Sequence, residues 1–344
     1  MIQFQCDYSE GAHPRIIERL STTNMEQTVG YGEDHYCEEA RGLIRTACGR
    51  EDADVHFLVG GTQTNTTVIS SILRPYQGVV CADTGHINVH ETGAIEHGGH
   101  KVLAIPSENG KLSASSLASF IDGHFSEDGP EHTVQPGMVY ISFTTESGTI
   151  YSRTELMELK DVCSSRSLPL FIDGARLGYG LASEGCDVTL KDIAATADVF
   201  YIGGTKQGAL FGEAVVITDS RLKKDFRYCI KQNGGMLAKG RLLGIQFMTL
   251  FEDDLYLRLS RHAVTQALRI RDAFRKKGID FLEESPSNQQ FPILDERTME
   301  ILGQNFMFSV WKELPNGLAA VRFCTSWATD PGNVDILISA IESL

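Results

Sequence analysis

The sequence predicts an α/β fold in which helices cover both faces of a mostly parallel β-sheet, followed by a smaller α+β domain. Up to about residue 250, short apolar runs alternate with helical patterns, and a long helix and a hairpin then follow. Continuous apolar runs are typical of strands buried on both faces. We therefore expect a large domain over residues 1–250 and a small one over 251–344, in line with roughly two domains for this length.

Each buried strand of the large domain is predicted from an apolar run bounded by turn residues. These runs lie at 55–59, 78–81, 101–105, 138–143, 170–172, 199–202 and 214–217. Helices are predicted at 35–48, which stops at Gly49, and at 153–165, which follows the turn at Ser147-Gly148. The elements expected in the small domain are a helix at 255–277, a strand at 291–294, a helix at 296–303 and a hairpin of 306–311 with 318–323.

Two of these strands end in charged residues that together suit one cofactor. The run 170–172 leads into Asp173, and the run 199–202 leads into Gly203-Gly204-Thr205-Lys206. Ligands of open α/β sheets bind at the carboxyl ends of the strands. Pyridoxal phosphate needs such a pair, because a lysine forms a Schiff base with its aldehyde and a carboxylate keeps its ring nitrogen protonated. Either residue alone is common in turns or at the surface, but the pair predicts a pyridoxal phosphate site.

A glycine turn upstream predicts where the phosphate lies. The strand at 55–59 runs into Gly60-Gly61-Thr62-Gln63-Thr64-Asn65 and then into a helical pattern. Free backbone N–H groups and the dipole at the start of a helix favour an anion. The alternative is a turn that only starts a helix. The presence of Asp173 and Lys206 favours a phosphate cradle at Gly61 and Thr62.

The order of these motifs resembles the low-specificity threonine aldolase family, which belongs with the aromatic amino acid β-eliminating lyases among pyridoxal phosphate enzymes of fold type I. The resemblance spans nearly the whole chain, and its Asp-Gly-Ala-Arg-Leu block is specific to that group. The matching segments are Gly-Gly-Thr-Gln-Thr-Asn (60–65), Asp-Thr-Gly-His (83–86) with Glu91, Asp-Gly-Ala-Arg (173–176), Gly-Gly-Thr-Lys (203–206) and Val-Arg-Phe-Cys-Thr (321–325).

The resemblance implies a role for each cofactor-binding residue. Gly61 and Thr62 would hold the phosphate, and His86 would stack on the pyridine ring. Asp173 would contact the ring nitrogen, and Lys206 would carry the cofactor. Arg176 would lie near a cofactor oxygen and the substrate carboxylate.

The same resemblance implies residues for the substrate and for catalysis. Arg322 would be the main carboxylate clamp, a task that suits a planar guanidinium. His132 matches the spacing of a histidine that helps to deprotonate the substrate hydroxyl, although a solvated loop histidine is an equal alternative. His86 or a bound water could also take this proton.

Two segments depart from the family pattern. A Ser-Asp pair near the start is replaced by Cys6-Asp7, so that Ser9 is the candidate to substitute in substrate binding. An arginine expected to reach a cofactor phosphate is replaced by Leu237, and Lys239 or Arg241 could supply the charge. The departures leave the substrate preference open.

The implied reaction is the cleavage of a β-hydroxy-α-amino acid, of the L-threonine or L-allo-threonine type, to glycine and an aldehyde. Arginines would fix the carboxylate so that the Cα–Cβ bond stands perpendicular to the cofactor plane. Two alternatives stay open: β-elimination on an aromatic amino acid, and a non-catalytic relative that keeps the fold. The resemblance also implies a homodimer or homotetramer with sites at subunit interfaces, and Tyr31 matches a segment near that interface.

The composition of the chain argues against some classes of binding partner and indicates the cellular compartment. Hydrophobic residues make up 42% of the chain, and the net charge of −14 without a cluster of lysine and arginine argues against nucleic acid or an anionic membrane surface. The first residues lack the features of a signal peptide, and no apolar run reaches membrane-spanning length. Eight cysteines without CxxC spacing indicate reduced thiols in a cytoplasm. We expect no metal site, because His86, His90 and Glu91 lack a further ligand motif.

Overall fold

The structure, a computed structural model that describes residues 1–344, contains three sheets, of seven, four and two strands. The strands are β1 Ile2–Gln3, β2 Asp54–Leu58, β3 Gln77–Ala82, β4 Lys101–Ile105, β5 Gln135–Ser142, β6 Leu170–Asp173, β7 Val199–Gly203, β8 Glu213–Ile217, β9 Gln289–Gln290, β10 Ile293–Asp295, β11 Phe306–Met307, β12 Ser309–Glu313 and β13 Leu318–Cys324. All seven strands predicted for the large domain are confirmed.

Fifteen α-helices connect and cover the sheets. They are α1 Pro14–Thr22, α2 His35–Cys48, α3 Gly61–Ile72, α4 His86–Val89, α5 Ala94–His97, α6 Ala114–Ser126, α7 Arg153–Ser165, α8 Leu177–Leu181, α9 Leu190–Thr196, α10 Ser220–Lys223, α11 Phe226–Gln232, α12 Arg241–Phe251, α13 Leu255–Lys276, α14 Glu296–Gly303 and α15 Pro331–Glu342. Short 3₁₀ turns lie at Pro130–His132, Glu252–Asp254 and Pro315–Gly317.

Local signals fix the ends of the predicted helices. The Asp34 side chain accepts the backbone N–H of Cys37 at 3.0 Å, and α2 ends where Gly49 adopts a φ of 62°. Ser152 and Glu155 form a capping box at the start of α7. Such caps satisfy backbone groups that the helix itself leaves unpaired.

The large sheet has the strand order β2-β8-β7-β6-β5-β3-β4, and β8 alone runs against its neighbours. The other strands are parallel, so their carboxyl ends share one edge. Alternate residues of each strand face opposite layers: Leu170 and Ile172 join one buried cluster, and Phe171 joins the other. Helices on both faces bury these clusters, as the apolar runs predicted.

The four-stranded sheet differs from the prediction in two places. The expected strand at 291–294 begins only at Ile293, as β10, because Pro292 has no N–H to donate to a ladder, and a separate short strand, β9, precedes it at Gln289–Gln290. The first arm of the hairpin is divided at Phe308, so that β11 pairs with β1 while β12 pairs with β13.

The first residues of the chain pair with β11 in a separate two-stranded sheet. Ile2 pairs with Phe306 in a parallel ladder, and Phe4 lies fully buried in the same cluster as Phe323. Residues 2–4 therefore depart from the predicted division into 1–250 and 251–344. The boundary near residue 250 stays a prediction. No helix is both long and apolar enough to cross a membrane.

Gly174 sets the distance between β6 and β7 directly behind Asp173. A Cβ atom at this position would lie 1.8 Å from the backbone oxygen of Tyr201. We expect Gly174→Ala to lower the free energy of unfolding by about 1–3 kcal/mol, because the strands must separate. Chemical denaturation measures this change.

A matched control is Gly42→Ala in α2, where a Cβ atom meets nothing within 4 Å. This variant should be as stable as the wild type or gain up to about 1 kcal/mol, since alanine favours a helix more than glycine does. An unchanged denaturation midpoint for Gly174→Ala would contradict the close packing of β6 on β7.

Candidate active site

Five of the six residues predicted for the cofactor line one cavity of about 340 Å³ at the carboxyl edge of the large sheet, and Arg176 is not among its lining residues. Its lining includes Tyr8, Gly61, Thr62, His86, Asp173, Tyr201, Lys206 and Glu213. Asp173 ends β6, Lys206 follows β7, Gly61 begins α3 after β2, and His86 begins α4 after β3. The parallel strands thus bring together residues that are far apart in the sequence.

One end of the cavity is the start of α3. Gly60 precedes the helix in an extended conformation, and no side chain caps the first turn. The first N–H groups of this twelve-residue helix therefore stay free for an anion. Gly61 is also close to Tyr201, because a Cβ atom on Gly61 would lie 3.3 Å from the tyrosine hydroxyl oxygen.

Asp173 is a buried carboxylate held by four donors. The hydroxyls of Tyr140 and Tyr201 each donate to it at 2.5 Å, Asn65 Nδ2 donates at 3.1 Å, and the backbone N–H of Ala175 donates at 3.0 Å. Burial raises the pKa of Asp173, but the nearby His86 and the two tyrosine hydroxyls outweigh it and leave the pKa lowered. The group stays ionised in spite of its burial.

His86 is oriented by a second buried carboxylate. Its Nδ1 lies 2.8 Å from Glu91 Oε1, and the same oxygen accepts Asn65 Nδ2 at 2.7 Å. Asn65 therefore bridges Glu91 and Asp173. Burial lowers the pKa of His86, but the hydrogen bond with Glu91 and the charge of Asp173 reverse this effect and raise it. The Nε2 atom is left as the free nitrogen of the ring.

Lys206 is surrounded by charges of both signs. Burial and the Arg176 guanidinium lower the pKa of Lys206, while Asp7, Asp173 and Glu213 oppose this shift. Burial raises the pKa of Glu213, whose carboxylate accepts the Thr205 hydroxyl at 2.9 Å. A lowered pKa increases the neutral, nucleophilic fraction of the lysine amine.

Arg176 lies close to Lys206 but is already paired. Its Nε and Nη2 donate to the two oxygens of Asp7 at 2.7 and 3.0 Å, and Asn288 Nδ2 donates to Asp7 at 2.9 Å. Burial by itself raises the pKa of Asp7, but Arg176 and Lys206 hold it at about 2. The bidentate pair occupies the fork that a substrate carboxylate would otherwise take.

Arg322 has no such partner. Its Nη1 and Nη2 make only long contacts, 3.4 Å to Gln289 Oε1 and 3.3 Å to the backbone oxygen of Gln5, and its buried Nε has no hydrogen-bond partner. Of the two arginines expected to bind the substrate carboxylate, Arg322 is therefore the one whose charge is free.

The structure does not bring His132 to this cavity. The residue is exposed and lies in a 3₁₀ turn that precedes the amino end of β5. An eight-residue strand spans roughly 25 Å, so His132 sits at the opposite edge of the sheet. Within one chain His132 therefore does not reach the cavity, and its role stays a prediction. The spacing to Ser142 along the chain had suggested proximity, but β5 is extended.

Three other predicted residues lie outside the cavity lining. Ser9 is exposed, with its hydroxyl 3.2 Å from Cys6 Sγ, and its role in substrate binding stays a prediction. Arg241 donates to the backbone oxygens of Glu26 and Asn24 at 3.1 and 3.0 Å, so its charge is engaged elsewhere. Lys239 is exposed.

Several residues of the site were not predicted from the sequence. Tyr140 and Tyr201 lie within apolar runs and look like core residues, although a buried tyrosine hydroxyl needs a partner. Asn65 was part of the glycine turn without an assigned function. Glu146, which accepts the Ser142 hydroxyl at 2.7 Å and the His86 backbone N–H at 3.0 Å, carried no signal beyond its charge.

These residues fit pyridoxal phosphate. An uncapped helix start suits its phosphate, and the ionised Asp173 suits its protonated ring nitrogen. Lys206 lines the same cavity and offers an amine to its aldehyde.

Comparisons with known proteins agree with this fit. A family model described as beta-eliminating lyase matches residues 3–296. Proteins called low specificity L-threonine aldolase from a Pseudomonas species and from Pseudomonas aeruginosa are 30% and 29% identical, over 99% and 95% of this chain and 97% and 93% of theirs. A solved threonine aldolase structure from Leishmania major has a TM-score of 0.97 and 42% identity, over 100% of this chain and 99% of that one.

A more distant likeness concerns the fold alone. Histidinol-phosphate aminotransferase from Clostridium acetobutylicum has a TM-score of 0.75 at 12% identity, over 100% of this chain and 98% of that one. The shared architecture is that of fold type I, as predicted.

The pair of Asp7 and Arg176 makes stability depend on pH. The pKa of Asp7 is lowered from 3.8 to about 2, so its contribution is present above pH 4 and is lost as the pH falls toward 2. Asp7→Asn should be several kcal/mol less stable than the wild type near pH 7, because a buried arginine loses its counter-charge. The difference should shrink by about 1 kcal/mol between pH 7 and pH 3.

Urea unfolding of both proteins across this range measures the difference. Asp83→Asn is a matched control, because Asp83 is an exposed carboxylate at the same edge of the sheet. A stability gap for Asp7→Asn that is independent of pH would contradict the ionised pair.

The contact of Glu91 with His86 predicts a second titration effect. Glu91→Gln removes the negative charge beside Nδ1, so the pKa of His86 should fall below its value in the wild type. Titration of the His86 imidazole by NMR measures this shift. Glu96→Gln in α5 should leave the His86 titration unchanged. An unaltered pKa in Glu91→Gln would mean that Glu91 does not set the charge state of His86.

Proposed function

The chain belongs to the β-eliminating lyase family, in its threonine aldolase branch, and from this premise we propose that it cleaves β-hydroxy-α-amino acids of the L-threonine or L-allo-threonine type to glycine and an aldehyde, with pyridoxal phosphate as cofactor. The proposal rests on one observation. Lys206, the ionised Asp173 and the uncapped start of α3 face a single cavity.

The cofactor, when bound, accepts the electrons of the bond that breaks at the substrate Cα. The chain's own residues would hold it. Backbone N–H groups at Gly61 and Thr62 would bind the phosphate, and Asp173 would keep the ring nitrogen protonated. His86 would lie against the ring, and Lys206 would offer its amine to the aldehyde.

Substrate binding depends on Arg322. Its free guanidinium would bind the carboxylate and so decide which bond at Cα is oriented for cleavage. Arg176 contributes positive charge near Lys206, while its pair with Asp7 anchors the start of the chain.

His86 takes the hydroxyl proton of the substrate. Glu91 occupies Nδ1, so a neutral His86 accepts the proton at Nε2 as the Cα–Cβ bond breaks and the aldehyde forms. After the aldehyde leaves, a proton returns to Cα and glycine is released.

The proposal includes a cytoplasmic location and a homodimer or homotetramer. Eight cysteines, all as free thiols, support a reducing compartment. An exposed apolar groove supports an interface, since it is lined by Tyr31, Tyr228 and Met236, and Tyr228 is 77% exposed. The net charge of −14 supports a small-molecule substrate and not a nucleic acid.

β-Elimination on an aromatic amino acid is the second candidate, and the description of the matching family model favours it. The two reactions share the cofactor site and differ in the bond that breaks. They therefore differ in products: glycine and an aldehyde in one case, ammonia and a keto acid in the other.

The test is to supply the purified holoenzyme with L-threonine, L-allo-threonine, a phenylserine and L-tyrosine. We expect glycine and aldehyde in equal amounts from at least one β-hydroxy amino acid. Asp173→Asn should reduce this rate by about 100-fold or more, because the lost charge acts mainly as electrons enter the ring.

Asp83→Asn serves again as the control and should keep the wild-type rate. Ammonia and a keto acid as the dominant products would establish the second candidate instead. Near-normal turnover by Asp173→Asn would contradict the assignment of the cofactor site.

A further inference from the structure

Trp311 is the extra residue of a β-bulge beside Arg322. In the ladder of β12 and β13, Ser309 pairs with Arg322 and Val310 with Val321, but Lys312 pairs with Ala320. Trp311 thus has no residue opposite it. Bulges next to active sites re-aim side chains that a regular strand would direct elsewhere.

The bulge directs the Trp311 ring toward the Arg322 guanidinium. Arg322 Cζ lies 4.9 Å from the ring centroid, within the range of a cation–π interaction. Behind Trp311, the fully buried Phe291 lies 5.4 Å away between ring centroids and anchors the indole. The Trp311 ring therefore contacts both the buried Phe291 and the Arg322 guanidinium.

Hydrogen bonds do not fix Arg322 as firmly. Its two contacts, at 3.4 and 3.3 Å, are at the long limit for such bonds, and no carboxylate pairs with it. Its Nε is buried without a partner. The Trp311 ring consequently supplies a support for the guanidinium that these long hydrogen bonds do not.

The Trp311 indole is connected to the cofactor cavity by ring contacts with His90. The ring centroid of His90 lies 5.9 Å from that of Trp311 and 5.5 Å from that of His86, which lines the cavity. Arg322 itself is not among the residues that line the cavity, and this chain of ring contacts is what connects its support to His86.

We propose that Trp311 is a positioning residue, which holds the guanidinium of Arg322 in the orientation that binds the substrate carboxylate. The inference rests on the proposed function in one respect, that the ligand is an α-amino acid. It adds that the affinity for the carboxylate depends on an aromatic ring that does not itself touch the substrate.

A double-mutant cycle with glycine as the probe tests this role. Glycine carries the carboxylate but has no hydroxyl and no Cα–Cβ bond, so the cofactor's absorbance change follows binding without aldol cleavage. Trp311→Leu should weaken glycine binding by about threefold to tenfold in the wild-type background. In the Arg322→Ala background the same substitution should change binding by less than twofold, because the group that it positions is already absent.

Two further variants separate positioning from loss of structure. Trp311→Phe keeps an aromatic face and should restore most of the affinity for glycine. Val310→Ala, at an exposed position of the same strand, should bind glycine as the wild type does. Ethanolamine, which lacks the carboxylate, should bind Trp311→Leu and the wild type equally.

An equal loss of glycine affinity in both backgrounds, or an equal loss for ethanolamine, would overturn the proposal. Failure of the proposed function is distinguishable. In that case the wild-type holoenzyme still binds glycine but releases no aldehyde from any β-hydroxy amino acid, and the cycle can still be measured.

Discussion

A carboxylate that must stay ionised inside the protein is the constraint on which the site depends. Removing a charge from water is costly unless hydrogen bonds and opposite charges replace the solvent. For Asp173 these are supplied by donors from two neighbouring strands and from α3, and also by the charge of His86 whenever that imidazole is protonated. The spacing of β6 and β7 is therefore part of the electrostatics, since Gly174 lets the Tyr201 strand approach closely enough for its hydroxyl to reach Asp173.

The two arginines, Arg176 and Arg322, have different roles because only one of them is paired with a carboxylate. Both are charged and both were expected to bind a carboxylate, but Arg176 already has the buried Asp7 in a bidentate contact. An arginine in that state contributes a fixed field and holds a chain segment. Arg322 keeps its charge unpaired and is supported by an aromatic face, an arrangement that leaves its donors available while limiting its motion.

Much of the fold could be predicted from the sequence, because seven apolar runs correspond to seven strands and because parallel strands share an edge. This geometry brings Asp173, Lys206 and Gly61 to one cavity, although each lies in a different part of the chain. Contacts between distant residues could not be predicted in this way. The partner of Arg176 is 169 positions away, and the spacing between His132 and Ser142 gives no sign that an extended strand separates them.

The pairing of β1 with β11 joins residues that are about 300 positions apart in the sequence. During synthesis on the ribosome, Ile2 and Phe4 therefore have no native partners until the strands near Phe306 and Phe323 have emerged. The large sheet can form earlier, because all its strands are complete by Ile217. The strands near Phe306 and Phe323 are therefore translated last. They assemble around Ile2 and Phe4, which were translated first.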